Sequence, residues 1–154
     1  MDIIYAEEPL GQINYGDTAV FLAGPSPRSG ATVSWRPEAI QALEKAGFDG
    51  TILVPEPRDS QWPANYDDQI AWEWKALLTA DVVAFWIPRD LKDMPGFTTN
   101  VEFGLLVESS VYEIILGYPK GAEKMRYLHW HADRCNVPVV HTLEDLAKSI
   151  VERR

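Results

Sequence analysis

The residue with the clearest potential for chemistry is Glu102, in the segment Gly-Phe-Thr-Thr-Asn-Val-Glu-Phe-Gly at residues 96–104. This segment leads from a loop into an apolar stretch, predicted to form a buried helix over residues 99–110. We expect Glu102 in the first turn, where the positive end of the helix dipole favours an ionised carboxylate. Such a carboxylate in a partly apolar site suits attack on a sugar carbon, because the transition state of glycosyl transfer resembles an oxocarbenium ion.

A structural role competes with this chemistry. Thr99 and Glu102 have the spacing of a capping box, in which the glutamate folds back onto the backbone N–H of the threonine. Spacing alone favours the cap. A carboxylate engaged in a cap is not available for attack, so the two roles exclude each other.

A loop rich in glycine, serine and proline follows the apolar run at residues 18–23. Its glycines allow a ligand to approach the backbone closely, and its polar groups suit a phosphate or a sugar hydroxyl. It has neither the ending of a P-loop nor the glycine spacing of a dinucleotide fingerprint. Ordinary turn residues in a surface loop explain it equally well. The candidate binding residues are Gly24, Pro25, Ser26, Arg28 and Ser29.

Three aspartates flank the third predicted strand: Asp81 precedes it, and Asp90 and Asp93 follow its end. Near a ligand, such carboxyl groups could hydrogen-bond a base or give a proton to its leaving nitrogen. Aspartate is also common in loops and caps, and for Asp93 that explanation is favoured.

Three aromatic residues lie in or beside these loops. Trp35, Trp62 and Phe97 could stack on a planar base, or they could form an interface between copies of the chain. Most of the other aromatic residues are expected in the core.

The elements that must position these residues alternate along the chain. Apolar runs without polar alternation predict five strands, and helical spacing predicts the segments between them and after Thr142. This pattern indicates an α/β fold with a five-stranded parallel sheet and helices on both faces, in one domain over residues 1–154. Ligands then lie at the carboxyl ends of the strands. The strands are predicted at residues 18–23, 51–54, 81–87, 113–116 and 137–140.

Composition narrows the possible partners. The chain of 154 residues is 46 % apolar and has a net charge of −9, so we expect it to repel nucleic-acid polymers. Cys135 is its one cysteine, and no apolar run approaches the length of a membrane span. We therefore expect a cytoplasmic protein without a membrane partner. The chemistry considered for Glu102 requires no metal or organic cofactor.

Several of these motifs together resemble the nucleoside 2-deoxyribosyltransferase family. The resemblance rests on Phe-Leu-Ala-Gly-Pro at residues 21–25, on Asp81 before the third strand and on Thr-Asn-Val-Glu-Phe-Gly at residues 99–104. It extends from about residue 20 to about residue 130. A less characterised branch adds further motifs, which occur here at residues 35–38, 54–56, 72–77 and 117–119.

The resemblance implies a flavodoxin-like fold and a covalent glycosyl-enzyme intermediate, with Glu102 as the nucleophile. It implies that Asp81 contacts the base and that Asp90 or Asp93 is a second acid of the site. Within the nucleophile motif, Asn100 is a candidate contact to the substrate. Relatives that hydrolyse nucleoside monophosphates bind the phosphate with serines, and here the candidates are Ser26, Ser29 and Ser109.

Three functions stay open on the sequence. The leading hypothesis is transfer of a (2-deoxy)ribosyl group between nucleobases. The alternatives are hydrolysis of a nucleoside or nucleoside 5′-monophosphate by the same mechanism, and a nucleotide-binding module without turnover. The family also implies a homo-oligomer, in which a neighbouring subunit completes each site. Its common tyrosine near the first strand is Phe21 here.

Overall fold

A computed structural model describes residues 1–13, 16–27, 32–59 and 61–153. It shows a mixed α/β architecture around one parallel sheet of six strands, in the order β1-β3-β2-β4-β5-β6. The strands are β1 (Asp2–Tyr5), β2 (Ala19–Ala23), β3 (Thr51–Val54), β4 (Val82–Trp86), β5 (Glu113–Gly117) and β6 (Val139–Val140). The predicted parallel sheet is confirmed.

The predicted number of five strands is wrong, because the prediction omitted β1. This strand pairs with β3 at the edge of the sheet, with Asp2 opposite Thr51 and Tyr5 opposite Val54. Ile4 is its one fully buried residue. An edge strand of four residues that is partly exposed lacks the continuous apolar run by which the central strands were found.

Five helices occur in the described part of the chain, together with a short 3₁₀ helix at Leu10–Gln12. Thr142 is confirmed as the N-cap of the last helix, since its hydroxyl accepts a hydrogen bond from the backbone N–H of Asp145 at 3.0 Å. The helices are α1 (Arg36–Lys45), α2 (Tyr66–Thr79), α3 (Phe97–Leu106), α4 (Arg126–Arg134) and α5 (Leu143–Val151).

The third helix departs from its prediction in position and in burial. It starts at Phe97 and ends at Leu106, and its N-cap is Gly96 in the left-handed conformation with φ 65°. Glu102 therefore lies in the second turn. The predicted burial on all sides is also wrong, because Val101 and Leu105 are more than 60 % exposed.

The helices form two layers, one on each face of the sheet. Helices α2, α3 and α4 pack on one apolar cluster, and helices α1 and α5 pack on the other. Successive residues of β2 and β4 point alternately into the two clusters, which explains why these strands are apolar without alternation. None of the helices in the described segments has the length and apolar character needed to cross a membrane.

Candidate functional site

A cleft of about 300 Å³ opens at the carboxyl ends of the central strands. The strand order changes direction between β2 and β4, and loops leaving the carboxyl ends of parallel strands diverge at such a point. The first loop, α2 and the start of α3 surround the cleft. Its lining residues are Phe21, Gly24, Pro25, Ser26, Pro27, Arg36, Pro55, Trp62, Tyr66, Gln69, Glu73, Pro95, Gly96, Phe97, Thr98 and Glu102.

The start of the first loop is fixed by close packing at Gly24. Its φ is 151°, and a Cβ atom there would lie 2.1 Å from the carbonyl oxygen of Trp86. This position therefore requires glycine. Gly24, Pro25 and Ser26, which the sequence interpretation named as candidate binding residues, line the cleft. Arg28 and Ser29, the other predicted residues of this loop, lie outside the described residues.

Trp35 lies behind the first loop and does not line the cleft. It is 6 % exposed and packs in the cluster beneath α1 and α5. Its indole N–H donates to the carbonyl of Pro25 at 3.1 Å. The structure thus gives Trp35 a contact that supports the loop, whereas Trp62 and Phe97 lie on the cleft with large exposed surfaces.

Glu102 faces the cleft from the second turn of α3. Because Thr99 is inside the helix and Gly96 is the N-cap, the predicted capping box is wrong. Among the described residues, no group donates a hydrogen bond to the Glu102 carboxylate. Burial, and next the charge of Glu73, raise its pKa to about 7, while the Arg36 guanidinium acts in the opposite direction.

Glu73 is a second carboxylate on the same cleft, which the sequence interpretation missed. It projects from α2, and burial raises its pKa. The amide nitrogen of Gln69 donates to Glu73 Oε1 at 2.7 Å and to the carbonyl of Pro55 at 3.3 Å. Gln69 is 1 % exposed, so this amide holds Glu73 in a defined position beside Glu102.

Asp81 lies at the amino ends of the strands, whereas the cleft lies at their carboxyl ends. It immediately precedes β4, and its carboxylate accepts a hydrogen bond from the backbone N–H of Ala19 at 2.8 Å. Ala19 starts β2, so this contact joins the amino ends of two neighbouring parallel strands. The structure does not bring Asp81 to Glu102.

The other two predicted acids belong to the loop between β4 and α3. The Asp90 carboxylate accepts hydrogen bonds from the backbone N–H groups of Lys92 and Asp93, at 2.9 and 2.8 Å. These bonds lower the pKa of Asp90, and its side chain stabilises a turn. Neither Asp90 nor Asp93 is among the residues that line the cleft.

Asn100 and Ser109 also lie off the cleft. The Asn100 side chain accepts a hydrogen bond from the buried guanidinium of Arg89, which also donates to the carbonyl of Lys124 at 3.3 Å. Asn100 thereby connects α3 to the loop before α4. Ser109 follows α3, and its hydroxyl accepts from the backbone N–H of Val111 at 3.2 Å.

A model of the family described as nucleoside 2-deoxyribosyltransferase like matches residues 17–120. The chain belongs to this family. The matched segment contains the first loop, both cleft glutamates and the four strands β2 to β5. No curated protein sequence matches the chain.

Two of the motifs by which the chain resembles the nucleoside 2-deoxyribosyltransferase-like family contain residues that lie on the cleft. Glu73 and Arg36 occur in the motifs Trp-Glu-x-x-x-Leu and Trp-Arg-Pro-Glu, which supported the resemblance but received no role. Gln69 and Glu73 are spaced by one helical turn near buried Trp72 and Ala76. Polar side chains at such a spacing on a buried helix face indicate a site.

The described part of the chain holds no group of three or more histidine, cysteine, aspartate or glutamate residues that could bind a metal ion. The cleft offers the carboxyl groups of Glu73 and Glu102 together with the aromatic rings of Trp62 and Phe97.

Proposed function

We propose that the chain transfers a ribosyl or 2-deoxyribosyl group between nucleobases through a covalent intermediate on Glu102. The observation that carries this proposal is the pair Glu73 and Glu102, which face one cleft from two helices in a member of a nucleoside 2-deoxyribosyltransferase-like family. Two carboxyl groups beside one glycosidic bond supply a nucleophile and an acid.

In the first step, a carboxylate oxygen of Glu102 attacks C1′ of the donor nucleoside. The bond between C1′ and the base nitrogen breaks, its electron pair leaves with the base, and Glu73 gives the base a proton. In the second step, a nitrogen of the acceptor base attacks C1′. The ester bond to Glu102 then breaks, and the proton lost by the acceptor returns to Glu73.

The two carboxyl groups of the pair are electrostatically coupled. Burial raises the pKa of both, and the charge of Glu73 further raises the pKa of Glu102, so the pair can bind one proton that the two groups share. A pair with one proton offers one carboxylate and one acid at the same time. Both groups become protonated at low pH and ionised at high pH, and we expect a bell-shaped pH dependence of kcat/KM.

The remaining lining suits a nucleoside. Phe97 and Trp62 are 64 % and 50 % exposed at the cleft, and their rings can stack on a base. The Ser26 hydroxyl accepts a hydrogen bond from Arg36 at 3.0 Å and retains its own hydrogen to donate to a sugar oxygen.

The proposal has two further parts, which concern the type of fold and the association of the chain with copies of itself. We infer a single flavodoxin-like domain, because the order β3-β2-β4-β5-β6 reverses at the cleft as doubly wound sheets do. We also infer a homo-oligomer that associates through the exposed side of α2 and α3. An apolar groove between these helices contains Ile70, Trp74 and Leu105 and reaches Glu73 and Glu102. A second copy seated there covers apolar surface and closes that side of the cleft.

The function is tested by chromatography of the purified protein with a deoxynucleoside and a second free base. Parallel reactions contain each nucleoside monophosphate without an acceptor. A new nucleoside that forms only with the acceptor supports transfer, and intact mass spectrometry without acceptor should then detect the glycosylated protein. Free base released without acceptor in amounts well above the amount of protein assigns hydrolysis instead, because the covalent intermediate alone releases no more base than there is protein. Folded protein that changes none of the mixtures contradicts the proposal and leaves a binding module.

A further inference from the structure

Arg36 is a buried cation at the base of the cleft. It opens α1, its side chain is 1 % exposed, and the guanidinium lies beneath the first loop. An arginine is almost never fully buried unless its donors are engaged by acceptors, because burial of an unpaired charge is costly. The contacts of this guanidinium therefore indicate what it holds in place.

Its donors go to the first loop and to one carboxylate. Nε donates to the carbonyl of Leu22 at 3.1 Å, and Nη2 donates to the carbonyl of Gly24 at 2.7 Å. Nη1 donates to Ser26 Oγ at 3.0 Å and to Glu56 Oε1 at 2.6 Å. The planar fork of one guanidinium thus connects the end of β2, the first loop and Glu56, which follows β3.

The charge of Arg36 acts on both cleft glutamates. Among the described residues, the charged groups around Glu102 are Glu73 from α2, Arg36 from α1 and, bonded to Arg36, Glu56. Arg36 is the one positive charge of this set. It opposes the burial and the like charge, which favour the protonated form of Glu102.

We propose that Arg36 is a positioning residue, which anchors the first loop and supplies a positive charge that favours the ionised form of Glu102 beside Glu73. Arg36 acts through these groups and not by contact with the substrate. The importance of an ionised Glu102 for turnover rests on the proposed function, whereas the electrostatic effect of Arg36 on Glu102 does not.

Three substitutions should shift the titration midpoint of Glu102 differently from its value of about 7. R36Q removes the positive charge and moves the midpoint upward. R36K keeps a charge but cannot reproduce the planar fork, so the midpoint stays close to that of the unmodified protein. E56Q removes the carboxylate that neutralises Arg36 and moves the midpoint downward. A purely structural role of Arg36 predicts no such reversal of sign.

The midpoint is measured by NMR on protein with ¹³C-labelled glutamate carboxyl groups, and the E102Q variant identifies the Glu102 signal. R153Q is the control, because Arg153 follows α5 and pairs with Glu113, at 3.6 Å, away from the cleft. It should leave the midpoint unchanged. A midpoint that R36Q does not raise, or that E56Q does not lower, overturns the electrostatic part of the proposal. If R36Q fails to fold, the E56Q result decides.

Carbonyl chemical shifts test the anchoring part. We expect R36K to move the carbonyl ¹³C signals of Leu22 and Gly24, because these oxygens lose the planar donors of the guanidinium. Unchanged signals there overturn the anchoring. If the unmodified protein has no transferase or hydrolase activity, the proposed function fails while both NMR measurements still test Arg36. If it is active, R36Q should also shift the acid limb of the kcat/KM profile to higher pH.

Discussion

The two helical layers of this protein cover the same sheet but differ in what they present to solvent. Helices α1 and α5 expose charged and polar residues, such as Gln41, Glu44 and Lys148, and no large apolar side chain. Helices α2, α3 and α4 also bury an apolar inner face, but they expose apolar residues on their outer face as well. The exposed apolar side chains of this layer are Tyr66, Ile70, Trp74, Leu78, Phe97, Val101, Leu105, Tyr127 and Trp130.

Folding of one chain covers the large apolar side chains of α1 and α5, but it leaves several of those on α2, α3 and α4 exposed. The α1 and α5 layer has the polar outside expected of a helix on a monomer surface. The α2 to α4 layer has an outer apolar surface that a folded chain alone leaves in water, and both cleft glutamates lie on this layer. Chemistry and association are therefore expected on the same side of the sheet.

The largest expected effect is on turnover. E102Q, on α3, should lower kcat by a thousandfold or more, as an order of magnitude, because the amide is not a nucleophile. The matched variant E44Q removes an exposed carboxylate from α1 and should leave kcat unchanged. Steady-state assays of both variants make the comparison. Equal rates for E102Q and the unmodified protein would remove Glu102 from the mechanism.

A second effect separates the roles of the two glutamates. E73Q should lower kcat by roughly a hundredfold, since it removes the acid that protonates the leaving base. It also removes the like charge that raises the pKa of Glu102, so the acid limb of the pH profile should move to lower pH. A limb that moves to higher pH contradicts the mutual repulsion of the pair.

The E102Q substitution, which should lower kcat, should raise the free energy of unfolding at high pH. Folding raises the pKa of Glu102 from 4.5 to about 7, so the native state binds its proton more tightly than the unfolded chain does. The resulting stability is present below pH 4.5 and is lost as the pH rises through about 7. E102Q should thus match the unmodified protein at pH 4 and exceed it at pH 8 by up to roughly 3 kcal/mol.

Denaturant unfolding at the two pH values measures this difference, with E44Q as the control that should show none. A loss of stability of about 1 kcal/mol in E102Q at both pH values would be the behaviour of a helix cap. That result would contradict the rise in the pKa of Glu102 on folding.

The smallest effect concerns association. L105E places a charge in the apolar groove of α2 and α3, where Leu105 is 63 % exposed, and should weaken self-association by about tenfold or more. Q41E adds the same charge to the polar outer face of α1 and should not change it. Sedimentation over a range of concentrations compares the two. Equal association of both variants would place the interface elsewhere.

Much of the fold could be predicted because the central strands are buried on both faces. Their apolar runs identify them and their parallel arrangement without knowledge of any contact. The edge strand β1 escaped detection because its partial exposure leaves no such run. The start of α3 was misplaced by two residues, because a cap by Gly96 in a left-handed conformation competes with the side-chain cap that Thr99 suggests.

The site shows the same division. Glu102 and the start of the first loop were predicted from local motifs, and the structure places them on one cleft. The prediction of Asp81 followed the family motif, although a residue that precedes a strand of a parallel sheet lies at the amino ends of the strands and not at the carboxyl ends, where ligands bind. Its carboxylate in fact joins the amino ends of β2 and β4.

By itself, the sequence determined the parallel α/β sheet and the family, and it selected Glu102 as the candidate nucleophile, because each of these depends on a pattern within a short segment. Only the tertiary structure decided that Glu73 and Arg36 complete the surroundings of Glu102. The three residues come from three helices, on two sides of the sheet, that meet at its carboxyl edge. The electrostatics of the site follow from distances between these segments, which the packing of helices on strands fixes and no local pattern encodes.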